Sequence, residues 1–416
     1  MITLIEALNF RCLKYVRRPL GPLHVLVGPN GSGKTTFLDT LAFLGRLVGG
    51  GLEAAVCERT ENFQDLVWGR SRGRFELAVE VRIPEDRRAR LVNKDFETIR
   101  YEISVGIDPA TEEVAILSER ALLKPLQTAP EKGLQRELFP FLPEAPNTIL
   151  GPKVAKGAKT VVNKVDDGND HFYDETGGWD HSFRLGPRKS ALGNLPEDES
   201  KFPVSTWFKG LLAEGIQPLV LNSLLLRKAS PPGQARRFKP DGSNLPWVVA
   251  GFEKNAPNRF EEWIAQVRRA LPEIEGLRTV ERADDRHRYL MIRYQGGMEV
   301  PSWVASDGTL RLLALTLIAH LRDFQGVYLI EEPENGIHPR AVERVFQSLA
   351  SVPNAQILLA THSPVILNVA GAGQVLCFAK TPEGAVDIVS GSQHPALKDW
   401  RGETSLSALF GAGVLG

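Results

Sequence analysis

The sequence predicts an α/β protein, and three observations support this prediction. A glycine-rich loop at 28–35 stands between an apolar strand and an apparent helix. Residues 327–361 read strand, helix, strand, a β-α-β unit that should be parallel and right-handed. From 74 to about 124 apolar residues alternate with polar ones, which indicates antiparallel strands with one buried face.

Further strands and helices are predicted from the same periodicities. The segments ITLIEALNF and LHVLVG, near the start of the chain, are typical of strands. A helix is predicted from about 257 to 271, because its apolar residues fall on one face. Those residues are Phe260, Trp263, Ile264 and Val267. The segment RYLMIRYQGGMEVPSW predicts a hairpin that turns at Gly296-Gly297.

The length of 416 residues is enough for two or three domains' worth of core. We divide the chain into an N-terminal lobe (1–125), an insertion (126–237) and a C-terminal lobe (238–416). Pro, Gly, Lys and Asp dominate the first part of the insertion, up to about residue 203. We therefore expect that part to be irregular, and a helix to follow it in VSTWFKGLLAEG.

Composition excludes several classes of protein. Basic and acidic residues number 50 each, so the net charge is zero and gives no pointer to nucleic acid. Cys12, Cys57 and Cys377 are far apart and odd in number, which argues against a disulfide framework or cysteine metal site and fits a reducing cytosol. No apolar run approaches the roughly 18 residues of a membrane span. Because Met1 leads straight into a strand-like segment, we expect no signal peptide and a cytoplasmic location.

The loop GPNGSGKT at 28–35 matches G-x-x-x-x-G-K-T in the strand-to-helix context that this motif requires. Its glycines let backbone N–H groups point at phosphate oxygens, and the helix start adds a favourable dipole. Lys34 is expected to meet the β- and γ-phosphates of a nucleotide, and Thr35 to ligate Mg²⁺. The residues expected to bind nucleotide in this loop are Asn30, Gly31, Ser32, Gly33, Lys34, Thr35 and Thr36.

Two matches to guanine-nucleotide motifs lie in the insertion. NKVD at 163–166 matches N-K-x-D, and DETG at 174–177 matches D-x-x-G. In GTPases the D-x-x-G element comes first, and circular permutation does not produce the order seen here. Because Asn, Asp and Gly are also common turn residues, we do not expect guanine recognition.

Polar residues end two strands of the predicted β-α-β unit. VYLIEE ends in Glu331 and Glu332, and ILLATHS ends in Thr361-His362-Ser363. Ligand sites in α/β sheets lie beyond the carboxyl ends of strands, so both carboxylates should face the phosphates. Glu331 is expected to hold Mg²⁺, directly or through water, and Glu332 to activate the attacking water. His362 is expected to bond the γ-phosphate.

A Ser-Asp-Gly at 306–308 precedes a helix predicted from about 309 to 322. Ser306 or Asp307 is suited to cap this helix, and Gly308 leaves room for a close backbone approach. A helix start with a hydroxyl and free amides is an anion site. Since the loop at 28–35 already cradles the phosphates within one subunit, this second site suggests the nucleotide of another subunit.

Together GPNGSGKT, SDGT, LIEEPENGIHP and ATHSP resemble the ABC-type ATPases of the RecF, SMC and OLD branch, particularly stand-alone bacterial AAA family ATPases. The resemblance covers about 1–85 and 238–416 and is weak over the insertion. It implies an ABC-type P-loop ATPase head with an antiparallel β-subdomain and an irregular or helical insertion. It also implies ATP and Mg²⁺ held in a head-to-tail sandwich, in a homodimer or higher even oligomer.

The resemblance assigns further roles. It implies that residues 306–308 are the signature loop that closes on the partner's γ-phosphate, that 333–336 form the D-loop, and that His362 is the switch histidine. The metal-side acid is Asp in most relatives and Glu331 here, a shift of about 1.5 Å that a water could take up. Gln64 is a candidate for the Q-loop glutamine. Three arginines remain open as phosphate contacts: Arg11, Arg59 and Arg70.

The resemblance favours DNA-linked or anti-phage defence work, with possible DNA binding. Since no nuclease sequence is apparent, any cutting is expected to need a separate effector protein. A regulatory ATP-binding module with little turnover and a transport ATPase subunit are the alternatives.

Charged residues of the insertion allow two interpretations, a solvated loop or a contact to a partner or phosphate backbone. The basic residues concerned are Lys153, Lys156, Lys159, Lys164, Arg188 and Lys189. A metal site is not expected, because the candidate ligands lack regular spacing. Those candidates are Asp166, Asp167, Asp170 and His171.

Overall fold

The computed structural model of the protein describes residues 1–71, 73–126, 136–141, 143–152, 157–165, 168–322, 324–397 and 405–415. Internal contacts divide the chain into two units. Unit 1 comprises Met1–Ile216, Ala372–Glu403 and Gly413–Gly416, and unit 2 comprises Gln217–Gly371 and Thr404–Ala412. Both units are therefore built from segments that are distant in the sequence.

The described residues form an α/β structure, as predicted. The strands are β1 (Ile2–Phe10), β2 (Leu13–Pro19), β3 (Leu23–Val27), β4 (Arg74–Arg82), β5 (Phe96–Ile107), β6 (Val114–Pro125), β7 (Lys159–Lys164), β8 (Asp170–Tyr173), β9 (Asp180–Phe183), β10 (Ile216–Leu219), β11 (Ile274–Glu281), β12 (Arg288–Tyr294), β13 (Glu299–Pro301), β14 (Gly326–Glu331), β15 (Ala355–Ala360), β16 (Val375–Lys380) and β17 (Val386–Ser390). The α-helices are α1 (Lys34–Gly50), α2 (Leu52–Cys57), α3 (Glu85–Arg88), α4 (Pro203–Gly215), α5 (Ser223–Arg227), α6 (Leu245–Asn255), α7 (Pro257–Ala270), α8 (Asp307–Ile318), α9 (Pro339–Ala350), α10 (Pro364–Val369) and α11 (Leu406–Gly411). Among these described helices, none combines the length and apolar character needed to cross a membrane.

An eight-stranded sheet forms the largest part of unit 1, in the order β2-β1-β4-β5-β6-β7-β8-β9. The predicted alternation forms an antiparallel ladder, in which Leu77 pairs with Ile103 and Val79 with Tyr101. These four side chains are fully buried. The prediction of antiparallel strands from residue 74 onward is therefore confirmed.

In β4 and β5 the opposite face of this sheet is also buried, so the expectation of only one buried face is wrong for these strands. Arg100 ion-pairs with three carboxylates, at 2.9 Å from Glu6, 3.3 Å from Glu80 and 2.9 Å from Glu102. Backbone N–H groups of the segment 148–152 donate to Glu76 and Glu102, and thereby cover the face. Because each charge has a partner, charged side chains occupy a buried surface where sequence alone suggests a solvated one.

The expectation of an irregular insertion is wrong for residues 159–183, where β7, β8 and β9 extend the sheet. Lys164 is buried, and its ammonium donates to Asp170 and to the carbonyl oxygen of Gly186, both at 2.8 Å. The ammonium of Lys159 donates to the carbonyl oxygen of Asp174 at 2.6 Å. Both lysines therefore serve the fold and are not free for a partner.

The DETG segment has a similar structural use. The carboxylate of Glu175 accepts hydrogen bonds from the backbone N–H groups of Val204 and Ser205, at 2.6 and 2.7 Å, at the start of α4. In the NKVD segment, Lys164 is occupied as described, and Asp166 lies outside the described residues. Lys153, Lys156 and Asp167 also lie outside them.

The remaining insertion charges are placed as follows. Arg188 forms an exposed ion pair with Glu113 at 2.5 Å, and Lys189 is exposed. His171 pairs with Asp180 at 2.9 Å, and Asp170 is occupied by Lys164. Within the described residues, no group of three or more His, Cys, Asp or Glu side chains is arranged to hold a metal ion.

Unit 1 also contains the strands beside the glycine-rich loop. β3 is parallel to β16, with Val25 opposite Val375 and Val27 opposite Cys377. β16 turns back as β17 in an antiparallel hairpin. Residues from the far end of the sequence therefore lie next to the strand that leads into the loop.

Unit 2 contains the predicted β-α-β unit, with β14 and β15 parallel and α9 between them in sequence. The predicted hairpin at Gly296-Gly297 is confirmed by the antiparallel pair β12 and β13. α7 buries the four side chains predicted for its inner face. α8 begins at Asp307 and ends at Ile318, earlier at both ends than predicted.

Candidate functional site

The glycine-rich loop connects β3 to α1 in unit 1. α1 begins at Lys34, and Gly33 before it has φ 97°, in the left-handed region that favours glycine. No side chain caps this helix start. No side-chain oxygen therefore competes at this helix N-terminus, where the helix dipole favours an anion.

The β16–β17 hairpin forms a floor under this loop. A Cβ atom at Gly28 would lie 2.3 Å from the carbonyl oxygen of Phe378, and one at Gly33 would lie 2.6 Å from Cγ2 of Val386. Both distances are far below van der Waals contact. Glycine is therefore required at these two positions for packing as well as for backbone conformation.

Two polar side chains of the loop fit a phosphate ligand. The Ser32 hydroxyl is buried and has no hydrogen-bond partner among the described residues. The Lys34 ammonium donates to the carbonyl oxygens of Gly28 and Pro29, at 2.8 and 3.0 Å. A buried hydroxyl without a partner is unfavourable, and a phosphate oxygen would satisfy it. Asn30, Gly31 and Thr35 are exposed along the same loop.

The arginines left open by the sequence are engaged in ion pairs. Arg59 binds Asp39 of α1 at 2.6 Å, and Arg11 binds the same carboxylate at 3.1 Å. Arg70 is an exposed partner of Asp65 at 3.1 Å. The structure gives Gln64 no role that would identify it as the Q-loop residue, and that assignment stays a prediction.

In unit 2, both candidate acids lie at the end of β14. Glu331 is the last residue of the strand, and Glu332 has φ 46°, a left-handed conformation that is uncommon for glutamate. The Glu332 N–H still donates to the carbonyl oxygen of Ala360 in β15, at 2.8 Å. Both acids are exposed at the carboxyl end of the strand. The backbone turn after Glu331 thus presents the second carboxylate to solvent.

Two residues of the loop after β14 form hydrogen bonds with Glu332 and with the segment that carries His362. The amide group of Asn335 donates to the Glu332 carboxylate. The Glu334 carboxylate accepts from the Thr361 hydroxyl at 2.6 Å and from the His362 N–H at 3.1 Å. Sequence reasoning placed 334 and 335 in the D-loop but gave neither residue a role. The hydrogen-bond partners of Glu334 and Asn335 lie within 28 residues in the sequence. No sequence motif, however, predicts these pairs.

Ser306 caps α8, as predicted for Ser306 or Asp307. Its Oγ accepts from the Thr309 N–H at 3.1 Å and lies 2.8 Å from the Thr309 hydroxyl. Asp307 does not cap the helix, because its carboxylate is bound by Arg227 at 2.6 Å. Arg227 was missed because it lies far away in sequence, in α5.

The close backbone approach predicted at Gly308 is present. A Cβ atom at this position would lie 2.1 Å from the carbonyl oxygen of Gly336. The helix start at 306–308 therefore packs directly against the loop that follows β14. Within unit 2, the structure brings together the Ser-Asp-Gly, the loop that carries Glu332 and the segment that carries His362.

Replacement of Ser306 tests the cap. We expect Ser306→Ala to lower the free energy of unfolding by about 1 kcal/mol, because an orphan N–H of α8 loses its acceptor. Chemical denaturation monitored by circular dichroism measures this change. Ser306→Asn should retain most of the stability, since asparagine is an equally good cap. Equal loss in both variants would contradict the capping role.

A cleft of about 390 Å³ opens beside this helix start, within unit 2. Its lining includes the beginnings of α8 and α9, with Ser306, Gly308, Thr309, His338 and Arg340. His338 caps α9 by accepting from the Arg340 N–H at 3.3 Å. The N-termini of α8 and α9 carry partial positive charge and Arg340 adds a cation, while Glu273 and the C-terminal end of α7 also line the cleft, so groups of both signs border it.

Strand β3, the glycine-rich loop and α1 define a P-loop nucleotide-binding protein of α/β class. Residues 23–368 match the family model described as "AAA domain, putative AbiEii toxin, Type IV TA system". Since this match spans well over half of the chain, the protein belongs to that family.

Sequence similarity to a characterised relative is short. A stretch of 41 residues is 55% identical to the OLD nuclease of Thermus scotoductus (strain ATCC 700910 / SA-01), which is 10% of this chain and 8% of the nuclease. The chain therefore matches less than a tenth of that relative's length.

Solved structures with a similar fold extend over nearly the whole chain. The Smc head bound to the C-winged helix domain of ScpA superposes with a TM-score of 0.54 at 14% identity, covering 93% of this chain and 97% of the other. An Smc head with an extended coiled coil, bound to the C-terminal domain of ScpA derived from Pyrococcus furiosus, gives 0.50 at 14% identity, with 96% and 98% covered. These similarities establish the fold. Together with the family match and the stretch shared with the OLD nuclease, they agree with the predicted resemblance to the RecF, SMC and OLD branch of ABC-type ATPases.

Proposed function

We propose that this protein binds and hydrolyses MgATP. The observation that carries the proposal is the phosphate loop, whose buried Ser32 hydroxyl has no hydrogen-bond partner among the described residues and whose helix start has no side-chain cap. Phosphate oxygens satisfy both features. Membership in an AAA-domain family supports ATP as the nucleotide.

Each residue of the loop has a proposed part. The N–H groups of 30–36 and the Ser32 hydroxyl bind phosphate oxygens, and the Lys34 ammonium exchanges its two carbonyl acceptors for the β- and γ-phosphates. A bound Mg²⁺ would supply positive charge to offset the charge that develops on the phosphates. Hydroxyl and carboxylate oxygens suit this ion, and Thr35 and Glu331 are its proposed protein ligands.

The proposed chemistry is hydrolysis by positioning and charge neutralisation. Glu332 orients the attacking water and accepts its proton. Its exposure and its strained backbone at φ 46° support a functional role, because such strain concentrates at active sites. Asn335 holds the carboxylate, and Glu334 fixes the segment from which His362 approaches the γ-phosphate.

We further propose that two copies associate head to tail around ATP. The Ser-Asp-Gly at 306–308 would then bind the γ-phosphate held by the partner. The cleft beside this segment supports the idea, because it leaves space for a ligand at the N-termini of α8 and α9, next to Arg340. The tight packing of Gly308 on the loop after β14 would link this contact to the catalytic carboxylate.

The biological setting that we propose is DNA-linked or anti-phage defence work in the cytoplasm, with a separate effector such as a nuclease. The short similarity to an OLD nuclease supports a nuclease partner. The Smc heads with a similar fold are bound to domains of another protein, ScpA, which supports an effector supplied as a second chain. The three free cysteines fit a reducing compartment.

Substitution of Lys34 tests nucleotide binding. We expect Lys34→Ala to weaken binding of a fluorescent ATP analogue at least about 100-fold, because the substitution removes the ammonium group that would bind the phosphates. Lys254→Ala, at an exposed position of α6, is the control and should bind normally. Wild-type protein that binds no ATP with Mg²⁺ present would overturn the proposal. Binding without phosphate release would favour the regulatory alternative.

A further inference from the structure

The β16–β17 hairpin places a second lysine at the phosphate loop. β16 ends at Lys380, and its parallel register with β3 carries it along the strand that leads into the loop. Gly31, at the exposed crest of the loop, has φ 72°. A Cβ atom at Gly31 would lie 3.8 Å from the Lys380 ammonium nitrogen.

The position of Lys380 is fixed by its neighbours. Phe378, two residues earlier, lies against Gly28 through its carbonyl oxygen, and Val386, the pairing partner of Lys380, lies against Gly33. Three glycines of the loop thus face one hairpin. At two of them the hairpin supplies tight packing, and at the third it supplies a cation.

Lys380 is exposed, and no carboxylate among the described residues forms an ion pair with it. Arginines in the same part of unit 1 differ, since Arg11 and Arg59 are both engaged by Asp39. The Lys34 ammonium is turned to carbonyl oxygens of its own loop. Lys380 therefore adds positive charge at the loop without an ion-pair partner among the described residues.

We infer that Lys380 is a second cationic ligand for the phosphates of the bound nucleoside triphosphate. An ammonium beside a phosphate-binding loop raises the local positive potential and gives a charge-assisted hydrogen bond. The inference rests on the proposed function, because it concerns the same nucleotide. Sequence reasoning missed Lys380 because the motif ends at residue 35, and the lysine reaches the loop only through the pairing of β3 with β16.

Lys380→Met removes the charge and keeps the length of the side chain. We expect it to weaken binding of AMP-PNP with Mg²⁺ about 5- to 20-fold at low salt, measured by titration calorimetry on the full chain. The deficit should shrink as salt is raised, because salt screens an exposed charge. Lys380→Arg keeps the charge and should bind within about 3-fold of wild type.

Lys94→Met is the matched control, since Lys94 is an exposed lysine of unit 1 outside the loop and its floor. It should bind as wild type does. If wild type binds AMP-PNP and Lys380→Met binds equally at low salt, the inference is wrong while the proposed function stands. If wild type does not bind, the proposed function itself fails. If Lys380→Arg loses as much affinity for AMP-PNP as Lys380→Met, the effect is due to packing of the side chain, and the proposed role of the charge is wrong.

Discussion

Glu332→Gln is expected to reduce ATP turnover at least about 100-fold while nucleotide binding stays within about 3-fold of wild type. The amide cannot accept a proton from the attacking water, yet it has the same size and tolerates the same backbone conformation. The Asn335 amide can still donate to the remaining carbonyl oxygen of the side chain. Phosphate release at saturating ATP measures turnover, and calorimetry measures binding.

The same variant separates chemistry from assembly. Because hydrolysis is blocked, the proposed sandwich should persist, and light scattering coupled to gel filtration should show a nucleotide-dependent dimer. Glu253→Gln, which alters an exposed glutamate of α6, should leave both turnover and mass unchanged. Turnover of Glu332→Gln close to the wild-type rate would exclude Glu332 as the base. A variant that stays monomeric with ATP would argue against the sandwich.

Gly308→Ala is expected to destabilise unit 2 by about 1–3 kcal/mol and to reduce turnover strongly. The added methyl group would lie 2.1 Å from the carbonyl oxygen of Gly336, so one backbone segment must move away from the other. That movement displaces the loop that carries Glu332. Thermal unfolding and phosphate release, measured on the same preparation, give the two effects.

Gly251→Ala is the matched control. Gly251 lies within α6, and a Cβ atom there would meet nothing within 4 Å apart from its chain neighbours and the backbone of its own helix. Alanine should therefore stabilise the helix by about 1 kcal/mol and leave turnover unchanged. If Gly308→Ala lowers the free energy of unfolding and Gly251→Ala raises it, the Gly308 effect is due to the contact with Gly336. If Gly308→Ala has normal stability and normal turnover, the contact between Gly308 and Gly336 is not needed for either.

The sequence predicted those features that depend on short-range patterns. The phosphate loop, the β-α-β unit, the hairpin at Gly296-Gly297 and the buried face of α7 all follow from spacing within a few residues. The close backbone approach at Gly308 was also predicted, because a glycine at a helix start leaves room for another backbone segment. In each case the chemical requirement of the local chain left few alternatives.

Features that depend on distant pairing could not be predicted in this way. Lys164 and Asp170 have the composition of a solvated loop, yet they neutralise each other inside the sheet. The alternating pattern of β5 predicts that Arg100 is exposed. In the structure three glutamates pair with Arg100, and the segment 148–152 covers this face of the sheet. Arg227 binds Asp307 from an element that sequence reasoning did not identify. Each of these charges is buried or engaged only because its partner arrives from another part of the fold.

The discontinuous make-up of unit 1 has a consequence for synthesis on the ribosome. β3 emerges early, whereas the β16–β17 hairpin that supports Gly28 and Gly33 emerges only after residue 375. At about 5–20 residues per second, the roughly 350 intervening residues take on the order of 20–70 s to translate. Residues 217–371 of unit 2 are made during that interval. Nascent and prematurely released chains therefore lack the hairpin against which Gly28 and Gly33 pack, and their glycine-rich loop has no support from it.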